Sequence, residues 1–203
     1  MTKGQITGLG CLAIVVIAAV IIGGSAIGTY NSLVKEQQNV EAKWAQVENV
    51  YQRRADLVPN LVATVKGYAA HERETLEAVT ASRAQVGSMQ VTPEILNNPA
   101  EFQKFQQAQA GLTSALSRLL LVVERYPDLK ANQNFLDLQH QLEGTENRIT
   151  VERMRFNEAA QSYNTRVKQF PGSIFARLFG FQQKAYFQSA PGSEKPPVVD
   201  FSK

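Results

Sequence analysis

Five polar side chains draw one line through the C-terminal half of this chain: Glu146, Thr150, Arg153, Asn157 and Asn164. Their steps of four, three, four and seven are helical, so on a helix they share one face beside the apolar seam. A carboxylate, a guanidinium and two amides in a row suit two tasks. One is a hydrogen-bond network that fixes the register of packed helices; the other is a binding groove. Asn147 stands next to Glu146. A second cluster comprises Arg53, Arg54, Asp56, Pro59 and Asn60. It reads as a corner, with the arginines ending one helix, Asp56 capping the next and Pro59 in its first turn. The other reading of this cluster is a tip that binds a protein partner.

Catalytic chemistry finds little else to work with. A hydrolase needs a nucleophile with an ordered base. No Gly-x-Ser-x-Gly occurs, and the two histidines, His71 and His140, lie among charged helical residues. His71-Glu72-Arg73-Glu74 is not a His-Glu-x-x-His zinc motif. His140 and Glu143 share a helix face, but a carboxylate-bridged metal site needs more such pairs. No Gly-rich phosphate loop is present, and the single cysteine, Cys11, allows no internal disulfide. The net charge of +3 is spread over interspersed acids and bases, which argues against nucleic acid. The expectation is a non-catalytic chain without cofactor or metal.

The elements that would carry these residues begin with an apolar segment. No charge occurs from Gly4 to Val34. Ile6, Leu12, Ile14, Val15, Ile17, Val20, Ile21, Ile22 and Ile27 make its core long enough to cross a bilayer, which takes about 20 residues. The run exceeds the apolar part of a signal peptide and lacks an Ala-x-Ala site at its end, so an uncleaved anchor is expected. Gly10-Cys11 makes a poor lipobox, because the apolar run follows the cysteine. Positive charge is balanced across the segment and leaves the orientation open.

Four helices are expected next. Leu33, Val40, Trp44, Val47 and Tyr51 form a seam over residues 30–55. A second helix follows the corner at Pro59 and runs to about Val86. Gly87 to Asn98 is a break, with Asn98 capping and Pro99 opening a third helix. In that helix Phe102, Phe105, Gln109, Leu112, Leu116, Leu119, Val123 and Tyr126 alternate steps of three and four. A fourth helix runs from about Asn132 to Gln169, with Glu152 in a seam position that demands a partner. Pro171-Gly172 ends it.

At this point the residues resemble the LemA family of bacterial membrane proteins over nearly the whole chain. The matching runs are Tyr30-Asn31, Arg53 to Val62, Val65-Lys66-Gly67-Tyr68 and His71-Glu72 with Glu74-Thr75-Leu76. Thr145-Glu146-Asn147-Arg148-Ile149, Arg153, Phe156-Asn157, Tyr163-Asn164, Phe170-Pro171, Gly180-Phe181 and Tyr186-Phe187 follow in order. Phe156 stands where the family usually has Tyr, a loss of one hydroxyl. The resemblance implies an all-α chain: a transmembrane helix (1–29), an up-and-down four-helix bundle with long helices (30–170) and an aromatic tail (171–203). It implies no enzymatic activity. The family's association with TPM-domain proteins implies such a membrane partner.

The tail carries seven of the chain's 17 aromatics, counting Phe170, so it must either pack on the bundle or meet lipid. Phe175, Leu178, Phe179, Phe181, Tyr186 and Phe187, with Arg177 and Lys184, have the mixture of interfacial segments. With a hairpin at Pro59 the fourth helix returns this tail to the membrane; with a mere bend at Pro59 it ends far away. The functional expectation is a single-pass scaffold of the bacterial inner membrane, homo-oligomeric and in contact with the lipid bilayer. The alternative is a regulatory module that binds protein through the Arg53–Asn60 tip.

Overall fold

The computed structural model describes residues 3–89 and 91–188, with side chains at position 12 and from 14 onward. The chain is all-α: α1 spans Lys3–Tyr68, α2 Arg73–Gly87, α3 Pro99–Val123, α4 Pro127–Lys130, α5 Gln133–Lys168 and α6 Gly172–Phe179. A short 3-10 turn, Pro93–Asn97, precedes α3. The upper part of α1 packs with α2, α3 and α5 as an up-and-down four-helix bundle. The lower part is an exposed helix, long and apolar enough to cross a membrane. Leu12, Val15, Val20, Ile22 and Ile27 are among its uncovered side chains. Ile14, Ile17 and Ile21 are uncovered too, whereas the side chain of Ile6 lies outside the described residues.

The corner expected at Pro59 is not there. Helix α1 runs through Arg53, Asp56 and Pro59 without interruption and ends nine residues later, at Tyr68. A helix-interior proline costs about 3 kcal/mol, partly because the carbonyl four residues earlier loses its N–H donor. Here that carbonyl belongs to Ala55, and the Arg83 side chain of α2 donates to it through Nε at 2.9 Å. Pro59 itself points to solvent, so its ring displaces no neighbour. The chain turns instead at residues 69–72. Glu72 braces that corner by accepting from Tyr126 Oη at 3.0 Å and pairing with Arg125 at 3.1 Å. Asn132 Nδ2 donates to Tyr68 Oη at 2.9 Å, which ties the two distal corners together.

Moving the corner did not move the tail. Helix α2 descends, α3 rises and α5 descends, so α5 still ends beside the start of the bundle part of α1. The expectation that an unbroken helix at Pro59 sends the tail away from the membrane end was therefore incorrect. It assumed no other corner upstream of α3. The caps on α3 and α5 follow the sequence. Asn98 Oδ1 accepts from the amides of Ala100 and Glu101, and Asn132 Oδ1 from that of Phe135.

Two cores stack along the bundle. The membrane-proximal one is aromatic, built on Trp44, Phe102, Phe105, Phe156, Tyr163 and Phe187. The distal one is mainly aliphatic, built on Val58, Leu61, Val65, Leu112, Leu119 and Leu142, with Phe135. Between them lies a polar layer.

Candidate functional site

Arg54 forms that layer. It is 1% exposed, which a charge tolerates only with partners. Its Nη1 donates to Thr113 Oγ1 at 2.8 Å and to Glu146 Oε1 at 3.0 Å. Its Nη2 donates to the Gln109 side-chain oxygen and, at 3.3 Å, to the Gln109 carbonyl. The guanidinium also lies over the Tyr51 ring, 5.0 Å from its centroid. Its Nε has no partner among the described residues. One side chain thus binds α1 to α3 and α5, two helices that share few direct contacts.

This arrangement replaces the expected tip. Arg53, Asp56 and Asn60 are exposed mid-helix residues. Asp56 caps nothing and accepts from Gln52 Nε2 at 2.8 Å; the Asn60 carbonyl accepts from Thr64 Oγ1. Asn147 is exposed as well. Arg54 and Glu146 were read in separate clusters, and the structure brings them together. Seam position 152 has the partner its charge required: Glu152 pairs with Arg155 at 2.7 Å.

The rest of the polar line holds the tail. Residues 181–188 are extended and run back up α5. The Asn164 amide brackets Lys184, with Nδ2 donating to its carbonyl and Oδ1 accepting from its N–H, both at 2.8 Å. Asn157 brackets Phe187 in the same way, at 3.0 and 2.9 Å. The spacing explains the pairing. Seven helical residues rise about 10.5 Å and three extended residues about 10 Å, so two asparagines two turns apart meet every third residue of a strand. Arg153 lies over the Phe187 ring at 4.5 Å and donates to the Gln188 carbonyl at 3.3 Å. On the other side the Ala185 N–H reaches the Leu96 carbonyl.

Lys184 is buried between these supports. Its Nζ donates to Asn97 Oδ1 at 2.7 Å and faces the Tyr163 ring. Burial lowers its pKa, while Glu41 and Glu94 oppose the shift. The Tyr163 phenol is pushed up to about 12, by burial first and by Glu41 second. Glu48 is raised as well, by burial; its Oε1 and the neighbouring Trp44 Nε1 are buried with no hydrogen-bond partner among the described residues.

The five tail aromatics have different surroundings. Phe187 is core, in contact with Trp44, Phe102 and Phe156. Phe181 packs partly against the core and, like Phe179, meets Tyr30. Phe175 is half-buried, and Tyr186 is exposed at the edge. Phe170 and Leu178 are exposed with them, and so is Ile174, which the sequence reading missed. Pro171-Gly172 follows the end of α5, as expected, and also opens α6, which was not expected. The Pro196-Pro197-Val198-Val199-Asp200-Phe201 run lies outside the described residues.

A groove between α3 and α5, about 600 Å³, lies above the tail; Arg54, Gln106, Glu146 and Arg153 are among its walls. His140 and Glu143 are both exposed, 3.9 Å apart. No three His, Cys, Asp or Glu side chains converge on a metal-sized point among the described residues.

Comparison with known proteins supplies the lineage. The chain is 27% identical to magnetosome protein MamQ of Magnetospirillum gryphiswaldense, over 93% of this chain and 75% of that one. It is 23% identical to protein LemA of Metamycoplasma hominis, over 81% and 71%. The model of the LemA family matches residues 43–201, which takes in the Arg54 layer, both asparagine clamps and α6, and the chain therefore belongs to the LemA family.

Proposed function

We propose that this protein is a non-catalytic, single-pass scaffold of the bacterial inner membrane that assembles with copies of itself. The observation that carries this reading is α1. One helix of 66 residues serves as both apolar anchor and central strut of the bundle. From Tyr30 to Tyr68 it rises about 57 Å, so the distal corners stand rigidly at that height above the anchor. The polar line is turned to internal partners: Arg54 binds Glu146, Gln109 and Thr113, and both asparagines hold the tail. The bundle seams are filled from within, which leaves self-association to the anchor. There Gly24 and Gly28, four residues apart with open space around both, suit close helix approach. A TPM-domain protein or another membrane protein is the further partner this scaffold would carry.

Cross-linking in intact membranes tests the reading. The expected result is a ladder of homo-oligomers that collapses when Gly24→Ile and Gly28→Ile are combined. A single cross-linked foreign partner with no ladder would contradict it. A second reading, a regulatory module that binds protein, is favoured by the groove between α3 and α5. It moves the contact surface from the Arg53–Asn60 stretch to the amide-rich walls at Gln106, Gln107 and Arg153.

A further inference from the structure

We propose that α6 is a second membrane contact, an interfacial helix that seats its Ile174 and Leu178 edge, with Phe170 from the turn before it, among the headgroups of the bilayer that α1 crosses. The inference rests on the reading of α1 as a membrane-crossing helix and adds a lipid-binding surface outside it.

Four observations carry it. The first is exposure. On α6 Ile174 and Leu178, one turn apart on one face, are 58 and 72% exposed, and Phe170, in the turn before the helix, is 80% exposed, while Ala176 faces the bundle at 1%. A soluble surface helix presents the opposite pattern, polar outward. Phe179, 43% exposed, widens the line. The second is height. Along α1 the covered core begins at Leu33, whereas Ile27 and every residue with a described side chain below it, except the half-buried Ala26, is exposed. The boundary between bundle and anchor thus falls near Tyr30, and α6 packs there.

The third is direction. Phe179, at one end of α6, meets the Tyr30 ring at 5.1 Å. At the other end, a Cβ on Gly172 would lie 4.0 Å from Thr29 Cγ2. Eight residues of helix span about 10 Å. A helix running along α1 would bring its two ends to α1 residues about two turns apart. Both ends of α6 instead meet consecutive residues of α1, so α6 crosses α1 steeply and lies across the anchor axis, in the plane a bilayer surface would occupy. Gly172 is needed for this crossing, because any Cβ there would collide with the Arg166 carbonyl. Gly180, at φ 78°, ends the helix and turns the chain up toward the asparagine clamps.

The fourth is charge. From Ala159 to Gln188 the sequence holds Arg166, Lys168, Arg177 and Lys184 and no acid. Arg166, Lys168 and Arg177 are exposed at this end. Rings and aliphatic chains beside cations are what an anionic lipid surface selects. The exposed apolar line is also continuous with the uncovered part of α1, which makes the bilayer its occupant. A second copy of the chain would have to cover the line while leaving the adjoining anchor to lipid.

The test uses the full chain with Cys11→Ser, reconstituted in nanodiscs of phosphatidylcholine and phosphatidylglycerol. An environment-sensitive fluorophore is attached at Leu178→Cys, at Ile21→Cys or at Leu121→Cys, the last an exposed site on α3. Circular dichroism confirms that each labelled chain keeps its helices. The expected result is a blue-shifted label at position 178 that loses about half its emission to headgroup-proximal spin-labelled lipid. Position 121 should lose none, and position 21 should be quenched from the acyl chains. Quenching at 21 without quenching at 178 overturns the interfacial helix and leaves the anchor standing. No quenching at 21 overturns the anchor, and with it this inference. A label at 178 that is blue-shifted yet blind to lipid quencher marks a second copy as the occupant, and also overturns it.

Discussion

Arg54 is the residue on which the two halves of the bundle depend. A buried guanidinium has lost its hydration, and its attraction to Glu146 repays only part of that loss. Its net effect is therefore more on register than on stability. Arg54→Met leaves Glu146 unpaired but 37% exposed and able to hydrate. The expected cost is about 3 kcal/mol, at the low end for a broken buried pair. Adding Glu146→Leu should recover most of it, with a broader denaturant transition. Urea melts of the two variants check this; equal stability in both would contradict it. Glu48 supplies the pH dependence at this scale. Its folded-state pKa is raised by burial, so its stabilising contribution is full below the ordinary carboxylate pKa and is lost as pH rises through the folded value. Glu48→Gln should therefore melt higher than the parent at pH about 7 and gain nothing at pH about 4. A gain that grew with acidity would contradict the assignment.

At the scale of elements, the asparagine caps and the core face of α3 were legible, because each rests on contacts within a few residues. The path of α1 was not. Pro59 preceded by Asp56 satisfies every local rule for a helix start. What overrides it is Arg83, a side chain 28 residues beyond Ala55 that supplies that carbonyl with the hydrogen bond the proline removes. No spacing rule reveals such a donor. The consequence is testable. Arg83→Met should cost about 1–2 kcal/mol in the parent, where it orphans the Ala55 carbonyl. With Pro59→Ala, which restores a helical donor, the same change should cost a few tenths. A thermodynamic cycle from urea melts measures the difference; equal costs in both backgrounds would contradict the role. The tail was half legible for a similar reason. The polar line on α5 was visible, but its match to the repeat of an extended strand became visible only once both elements were placed.

Across the whole molecule, the membrane-proximal end gathers what the sequence scattered. Tyr30, the end of α5, α6 and the clamped strand meet there, around an aromatic core that includes Phe187. Helix α1 carries the chain unbroken from the anchor to the distal end, and α2, α3 and α5 pack with its upper part. The scaffold reading depends on that continuity. Its most direct test is the distance between spin labels at Gln38→Cys and Lys66→Cys, two exposed sites on α1, in the Cys11→Ser chain in bilayers. An unbroken helix separates positions 28 residues apart by ~42 Å, whereas a hairpin at Pro59 brings them to about 23 Å. The account expects a single narrow distribution near the longer distance. A population near the shorter one would contradict it.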